Sequence, residues 1–333
     1  MTVDYIVKRL GMLLVVIISA ISINFIIPRL MPGDPVQQKM DQMVAMGGTV
    51  GDVQGMVQEY RKKFGLDKPV WKQFISYWGD LLRGDLGYSL NNYPQRVSSV
   101  ITGALPWTAG LLITAILITF VLGILMGAVL GWPTAPRGLR GVVPVFLVLH
   151  AVPYFLLGII LLFLFAVSVR VFPGGGGYSF GTALQLSLGS IADVLKHAAL
   201  PALSIVLAGV GGWALGMRGM MISVLGEDYI NLAEAKGLKQ RRIFLWYGVR
   251  NTMLPATTSL AMSLGHVVTG AVLVEMIFAY PGIGHQLYRA IHAKDYTVIQ
   301  GIIVVLVVWL AVTLFIMDLI YPLIDRRITY RRR

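Results

Sequence analysis

Six stretches of the chain run free of Asp, Glu, Lys and Arg for about the length of a membrane-crossing helix. They are Leu10 to Pro28 (19 residues), Val97 to Pro136 (40, apolar centre Ala104 to Trp132) and Gly141 to Val169 (29). His197 to Met217 (21), Asn251 to Val274 (24) and Tyr296 to Met317 (22) complete the set. A hydrocarbon core of about 30 Å needs about 20 predominantly apolar residues in a helix. Each run is continuous rather than alternating, which disfavours a membrane barrel. The pattern predicts an all-α integral membrane protein with six transmembrane helices. A seventh charge-free stretch, Val171 to Ala192, is rich in Gly and Ser and reads as a loop with a short interfacial helix. The first run has a short basic lead, Lys8-Arg9, but no small-residue cleavage site, so it reads as an uncleaved first helix.

Positive charge orients these spans. With the N-terminus inside, the inner segments hold 15 Lys and Arg, from Lys8 to Arg333, and the two short outer loops hold 4. Short loops rich in Lys and Arg stay in the cytoplasm, whereas long segments cross largely regardless of charge. The expected topology is therefore N-in, C-in, with Arg29 to Arg96 outside. The expected organisation is a first helix in 1–31, an external helical loop in 32–100, and a transmembrane core in 101–333. Aromatic and Leu residues recur at helical spacing from Val57 to Leu82, which predicts a small helical cap.

Composition supports this class. Only 13% of residues are charged and 56% are hydrophobic, against about 25% and about 45–50% in soluble domains. Disorder is excluded on the same grounds, and the 37 Gly lack a collagen period. With no Cys, disulfides, Cys-based zinc sites, iron–sulfur clusters and thiol catalysis are excluded. The net charge of +12 sits in short loops between spans, which suits an anionic inner leaflet better than nucleic acid.

The inner segment of about 221–253 carries the chemistry. Asp228 to Lys236 reads as a helix with Tyr229, Leu232, Ala233 and Lys236 on one face, stopped by Gly237 with positive φ. Ala233 is expected on a small-residue docking face. Leu238 to Val249 follows as a second amphipathic piece, with Arg241 and Arg242 against Ile243, Phe244 and Trp246. Leu254-Pro255 opens the fifth span. Such an element suits docking into a groove on a soluble partner. It equally suits lying on lipid headgroups, and the residues alone leave both open.

AEAKGL followed by LP resembles the EAA loop of permease subunits in ABC importers. The long glycine-to-LP spacing resembles the oligopeptide/dipeptide branch. Other pieces agree in family order: PGDP at Pro32 to Pro35, FGLDKPV at Phe64 to Val70, GDLGYS at Gly84 to Ser89 and DYINLAEAKGL at Asp228 to Leu238. YPGIG at Tyr280 to Gly284, AKDYTVIQG at Ala293 to Gly301 and DLIYPLIDRRI at Asp318 to Ile328 follow.

The resemblance implies half of a translocation pore for oligopeptides or similar-sized oligomers, completed by a second homologous permease. It implies two cytoplasmic ATPase subunits that carry ATP–Mg, and an extracytoplasmic substrate-binding protein. The coupling loop would comprise Asp228, Tyr229, Ala233, Glu234, Ala235, Lys236, Gly237, Leu238, Arg241, Arg242, Leu254 and Pro255. Three departures stand out. Asn231 replaces the general motif's Glu, Glu234 replaces the peptide branch's usual Arg, and DRR replaces the C-terminal DPR.

Without a Walker A loop the chain is not expected to hydrolyse ATP. No cofactor or metal is expected on it, and the five His are scattered. Ionisable groups in spans are functional suspects; here they are His150, His266, Glu275 and Asp318, with Arg218 at a span end. Interfacial solvation or pairing between helices is the plainer account of Glu275 and Asp318. Trp213, Met217, Met262 and His266 are pathway candidates, against a packing or lipid-facing role. Gly209, Gly211, Gly212 and Gly216 permit close helix approach. Pro106, Pro144, Pro153 and Pro201 predict kinks. A stand-alone secondary carrier is disfavoured by the near absence of mid-span carboxylates, and a membrane enzyme by the lack of a catalytic constellation. Oligosaccharide cargo is the main alternative to peptides.

Overall fold

The computed structural model describes residues 3–30, 36–37, 40, 44, 53–182, 185, 187–265 and 272–324. Among them the chain is helical, with no strand beyond an isolated bridge between Tyr88 and Arg96. Four helices are long and apolar enough to cross a membrane: Asp4–Leu30, Val97–Gly131, Leu188–Leu225 and Tyr296–Leu319. In the first and last of these, only 17% of the most apolar window is buried. Helices so apolar and so uncovered are at equilibrium in lipid, not water.

The expected third span is broken. Val142–Ala151 and Tyr154–Ser168 meet at Val152-Pro153 with a 101° bend, so they form a fifth span only if the pair counts as one. Pro153 causes the break: its ring holds the preceding residue extended (φ −85°, ψ 123° at Val152). At Pro106 and Pro201 the helices continue without interruption. The expected fifth span is represented by Arg250–Gly265 and Val272–Ile277, with 266–271 outside the described residues.

The chain divides into two compact units, one made of 1–106 with 286–333 and the other of 107–285. In the first unit the outermost helices of the sequence pair directly. Asn24 and Gln300, both buried, exchange side-chain amide to backbone carbonyl hydrogen bonds of 3.0 and 3.1 Å. Arg9 pairs with Asp318 at 2.9 Å, so the suspect Asp318 serves a helix pair. The segment expected to form a helical cap holds two helices, Val53–Lys63 and Val70–Leu82. The GDLGYS loop is tied to the start of the last helix by buried Asp295. Its carboxylate accepts from the Ser89 hydroxyl, from the Leu90 and Asn91 amides at 3.1 Å, and from the Val298 amide at 3.2 Å. The last bond is a helix cap.

The second unit packs around glycine. Gly123, Gly127 and Gly131 form one stripe of the Val97–Gly131 helix at i, i+4 spacing. A Cβ at these positions would lie 2.4 Å from Trp213 Cβ, 2.3 Å from the Ala214 carbonyl oxygen and 2.6 Å from Met221 Cβ. From the other side of Leu188–Leu225, a Cβ at Gly211 would meet the Phe146 carbonyl oxygen at 2.3 Å. Close backbone approach through small residues replaces hydrophobic drive where the surroundings are lipid. Gly216, expected in this role, faces open space.

Candidate functional site

The segment after Leu225 folds back as Asp228–Ala235, a turn at Gln240–Arg242, a π-helical stretch Ile243–Val249, and then the Arg250–Gly265 helix. Gly237 stops the first helix at φ +70°. Its amide bonds the Glu234 carbonyl (2.8 Å), and the Leu238 amide reaches the Ala233 carbonyl (3.2 Å). This pair of bonds is a Schellman stop, in which glycine adopts the left-handed conformation without a Cβ clash. A Cβ at Gly237 would touch nothing within 4 Å. The backbone angle alone, not space, therefore demands glycine.

Packing corrects the expected docking face. Ala233 is 2% exposed and Ile230 is equally buried, both in a cluster with Trp132, Met217, Met221 and Ile243. The small side chain at 233 allows the helix to lie close on its own protein. Leu232, expected beside it, is 55% exposed. The outward set is Asp228, Asn231, Leu232, Glu234, Ala235, Lys236 and Gly237, with Tyr229 and Leu238 half-buried. Asn231 and Glu234, the two departures in this loop, both lie outward. Glu234 accepts a bond from the Gln240 amide at 3.2 Å, joining the helix to the next turn.

That next turn braces the helix. Arg241 and Arg242 are exposed while Ile243 is fully buried. Phe244 meets Trp132 edge-on at 5.1 Å, and a Cβ at Gly248 would lie 3.0 Å from the Met221 methyl. Trp132 follows one helix and Met221 lies near the C-terminal end of the other, so this segment is anchored to both at once. Burying Ile230 and Ile243 contributes about 1.5–3 kcal/mol each. Leu254-Pro255 lies inside the Arg250–Gly265 helix rather than at its start. The π-helical stretch runs directly into that helix, so helical backbone is continuous from Gln240 through Leu254-Pro255.

The pathway candidates separate. Met217 is 0% exposed, packed under Gly127, and belongs to the core. Trp213 is half-buried, edge-on to Phe120 at 5.1 Å. Met262 is exposed, and His266 lies outside the described residues.

At the other end of the unit, YPGIG wraps the fully buried Glu275. The carboxylate accepts from the Thr108 hydroxyl (2.7 Å) and from the Gly284 and His285 amides (2.6 and 3.3 Å). A Cβ at Gly282 would fall 2.4 Å from the Glu275 carboxylate. The glycine loop before it joins in: the Gly176 amide donates to the Phe278 carbonyl, and Gly177 lies against Trp107 and Pro281. Glu275 thus serves to close loops. Neither this stitch nor the GxxxGxxxG stripe was singled out from the sequence, although the glycine spacing was visible there.

Long apolar helices packed through glycine, with a basic amphipathic return loop, define a multi-pass membrane protein. Residues 120–330 match the family model described as "Binding-protein-dependent transport system inner membrane component", and the chain belongs to that family. It is similar to the di/tripeptide transport system permease protein DppB of Pseudomonas aeruginosa (33% identity, 99% of each chain). It is also similar to the oligopeptide transport system permease protein AppB of Bacillus subtilis (29%; 98% of this chain, 99% of AppB). A third relative is the dipeptide transport system permease protein DppB of Escherichia coli (28%, 99% of each).

Proposed function

We propose that the chain is the permease subunit of an ATP-driven, binding-protein-dependent importer of di- to oligopeptides in a bacterial inner membrane. The end-to-end similarity to permeases named for peptides carries this reading, and it favours peptides over oligosaccharides. The chain forms half of the pore with a second, homologous permease. An extracytoplasmic binding protein delivers the peptide to the face that bears the 53–82 helices. Two cytoplasmic ATPases hold ATP–Mg.

In this reading Asp228–Ala235 is the coupling helix, and its outward residues Asn231, Leu232, Glu234 and Ala235 seat in the ATPase. Its buried face, through Ile230, Ala233 and the Ile243–Val249 brace, bears on the ends of two long helices. Movement of the ATPase reaches the pore through that packing. Met262 and Trp213 are the candidates to meet cargo. The test is reconstitution of the complex in proteoliposomes. Radiolabelled peptide is expected to accumulate with ATP and the binding protein, and a short glycan is not. Glycan uptake without peptide uptake overturns the assignment of cargo.

A further inference from the structure

A cavity of about 770 Å³ opens beside the coupling helix, lined by Tyr229, Arg242, Trp246, Tyr247, Arg250 and Asn251. Its lining holds two guanidinium groups and no carboxylate. Neither Arg242 nor Arg250 has an ion-pair partner among the described residues. The Arg250 guanidinium lies 5.6 Å from the Trp246 ring centroid, and the Asn251 amide donates to the Tyr247 carbonyl at 2.8 Å. Of the lining residues Trp246 is 60% exposed, and Leu245 and Leu254, outside the lining but on the same helical segment, are exposed as well. Arg250 lies where the Ile243–Val249 stretch passes without a break into the Arg250–Gly265 helix, part of the expected fifth span.

Cations beside an outward Trp, on a helical segment that leads into the expected fifth span, match the headgroup layer, where an indole and an arginine stem are both at home. An acidic protein segment docking from water would account for the arginines. It would leave the exposure of Trp246, Leu245 and Leu254 unexplained. We propose that this cavity binds the phosphate of an anionic phospholipid, held by Arg242 and Arg250, with Trp246 against the glycerol region. The lipid would brace the base of the coupling helix through Tyr229 while leaving its outward tip free. The proposal goes beyond the permease reading, because lipid retention by the purified chain reads the cavity whether or not the chain transports peptides.

The full chain is purified from vesicles of phosphatidylcholine mixed with phosphatidylglycerol, and retained lipids are counted by native mass spectrometry. Wild type is expected to retain phosphatidylglycerol in preference. Arg242→Gln and Arg250→Gln should each lower that preference about fivefold, and the double variant about 25-fold, from about 1 kcal/mol per cation near anionic lipid. Lys239→Gln, in the same loop but outside the lining, should leave it intact. Phosphatidylcholine retention in the same samples reports folding, and the single variants keep the test readable if the double variant unfolds. Equal preference in wild type and both single variants overturns the proposal. So does displacement of the lipid by inorganic phosphate, which identifies a soluble anion. Loss of the lipid when the ATPase binds assigns the cavity to protein contact and overturns it too.

Discussion

The Thr108 hydroxyl donates to the carboxylate of Glu275 at 2.7 Å across 167 positions of sequence, and the same hydroxyl accepts from the Ile283 amide at 2.8 Å. One threonine thus links the Val97–Gly131 helix, the acid and the loop that wraps it. Removing the acid leaves that hydroxyl, the buried Gly284 amide and the half-buried His285 amide short of an acceptor. Glu275→Ala should therefore lower stability in detergent by about 2–6 kcal/mol, from about 1–3 kcal/mol for each of the two fully buried groups. Glu275→Gln should cost less, because it keeps one acceptor. Gly282→Ala should destabilise as well, since its methyl group would occupy the carboxylate's position. Thermal unfolding of the purified variants checks the order. Wild-type melting of Glu275→Ala would show the stitch to be dispensable.

Two glycines of one helix make an internally controlled pair. A Cβ at Gly127 would meet the Ala214 carbonyl oxygen at 2.3 Å, whereas at Gly110 it meets nothing within 4 Å. Gly127→Ala should cost about 1–3 kcal/mol by overpacking. Gly110→Ala should be neutral or stabilise by up to about 1 kcal/mol through helix propensity. The comparison is a difference in melting temperature at matched detergent. Equal shifts would mean that the helices do not approach through this stripe.

Sequence period was enough to place the long helices, because a charge-free run leaves little choice in lipid. It also located Gly237, whose position after an amphipathic turn requires a left-handed residue. It misassigned Ala233. Helical spacing defines a face but not what covers it, and the cover came from Trp132 and Met221, far away in sequence. The 101° break was half visible in Pro153; the angle depends on what the two pieces pack against. Glu275 looked like a membrane carboxylate because its partners, Thr108 and the Gly284 amide, belong to segments that only the fold brings together.

The N-in, C-in topology expected from the positive charges predicts that the Val70–Leu82 helix lies outside the cell. The chain has no Cys, so Ser76→Cys, exposed on that helix, supplies its only thiol. In intact cells stripped of the outer membrane it should react with an impermeant maleimide. Reaction only after lysis would invert the topology.

The coupling assignment makes its sharpest prediction through two alanines, Ala233 and Ala235, on opposite sides of one short helix. Ala235 is exposed and Ala233 is buried against the permease's own core. If the outward side seats in the ATPase, Ala235→Arg should leave the permease at normal level and melting temperature while abolishing its hold on the ATPase in detergent pull-down. Ala233→Arg should act by another route. It forces a long cation into a packed apolar cluster, at a cost of at least about 2 kcal/mol, so permease stability falls and ATPase retention falls with it. Gly237→Val keeps both faces but strains the stop by about 1–3 kcal/mol, and should reduce retention by tilting the helix. A loop that merely rests on headgroups predicts a different order. There, an arginine at 235 would be neutral or would strengthen attachment to anionic lipid. ATPase co-purification with Ala235→Arg at matched expression separates the two. Wild-type retention together with wild-type peptide uptake would end the coupling-helix reading.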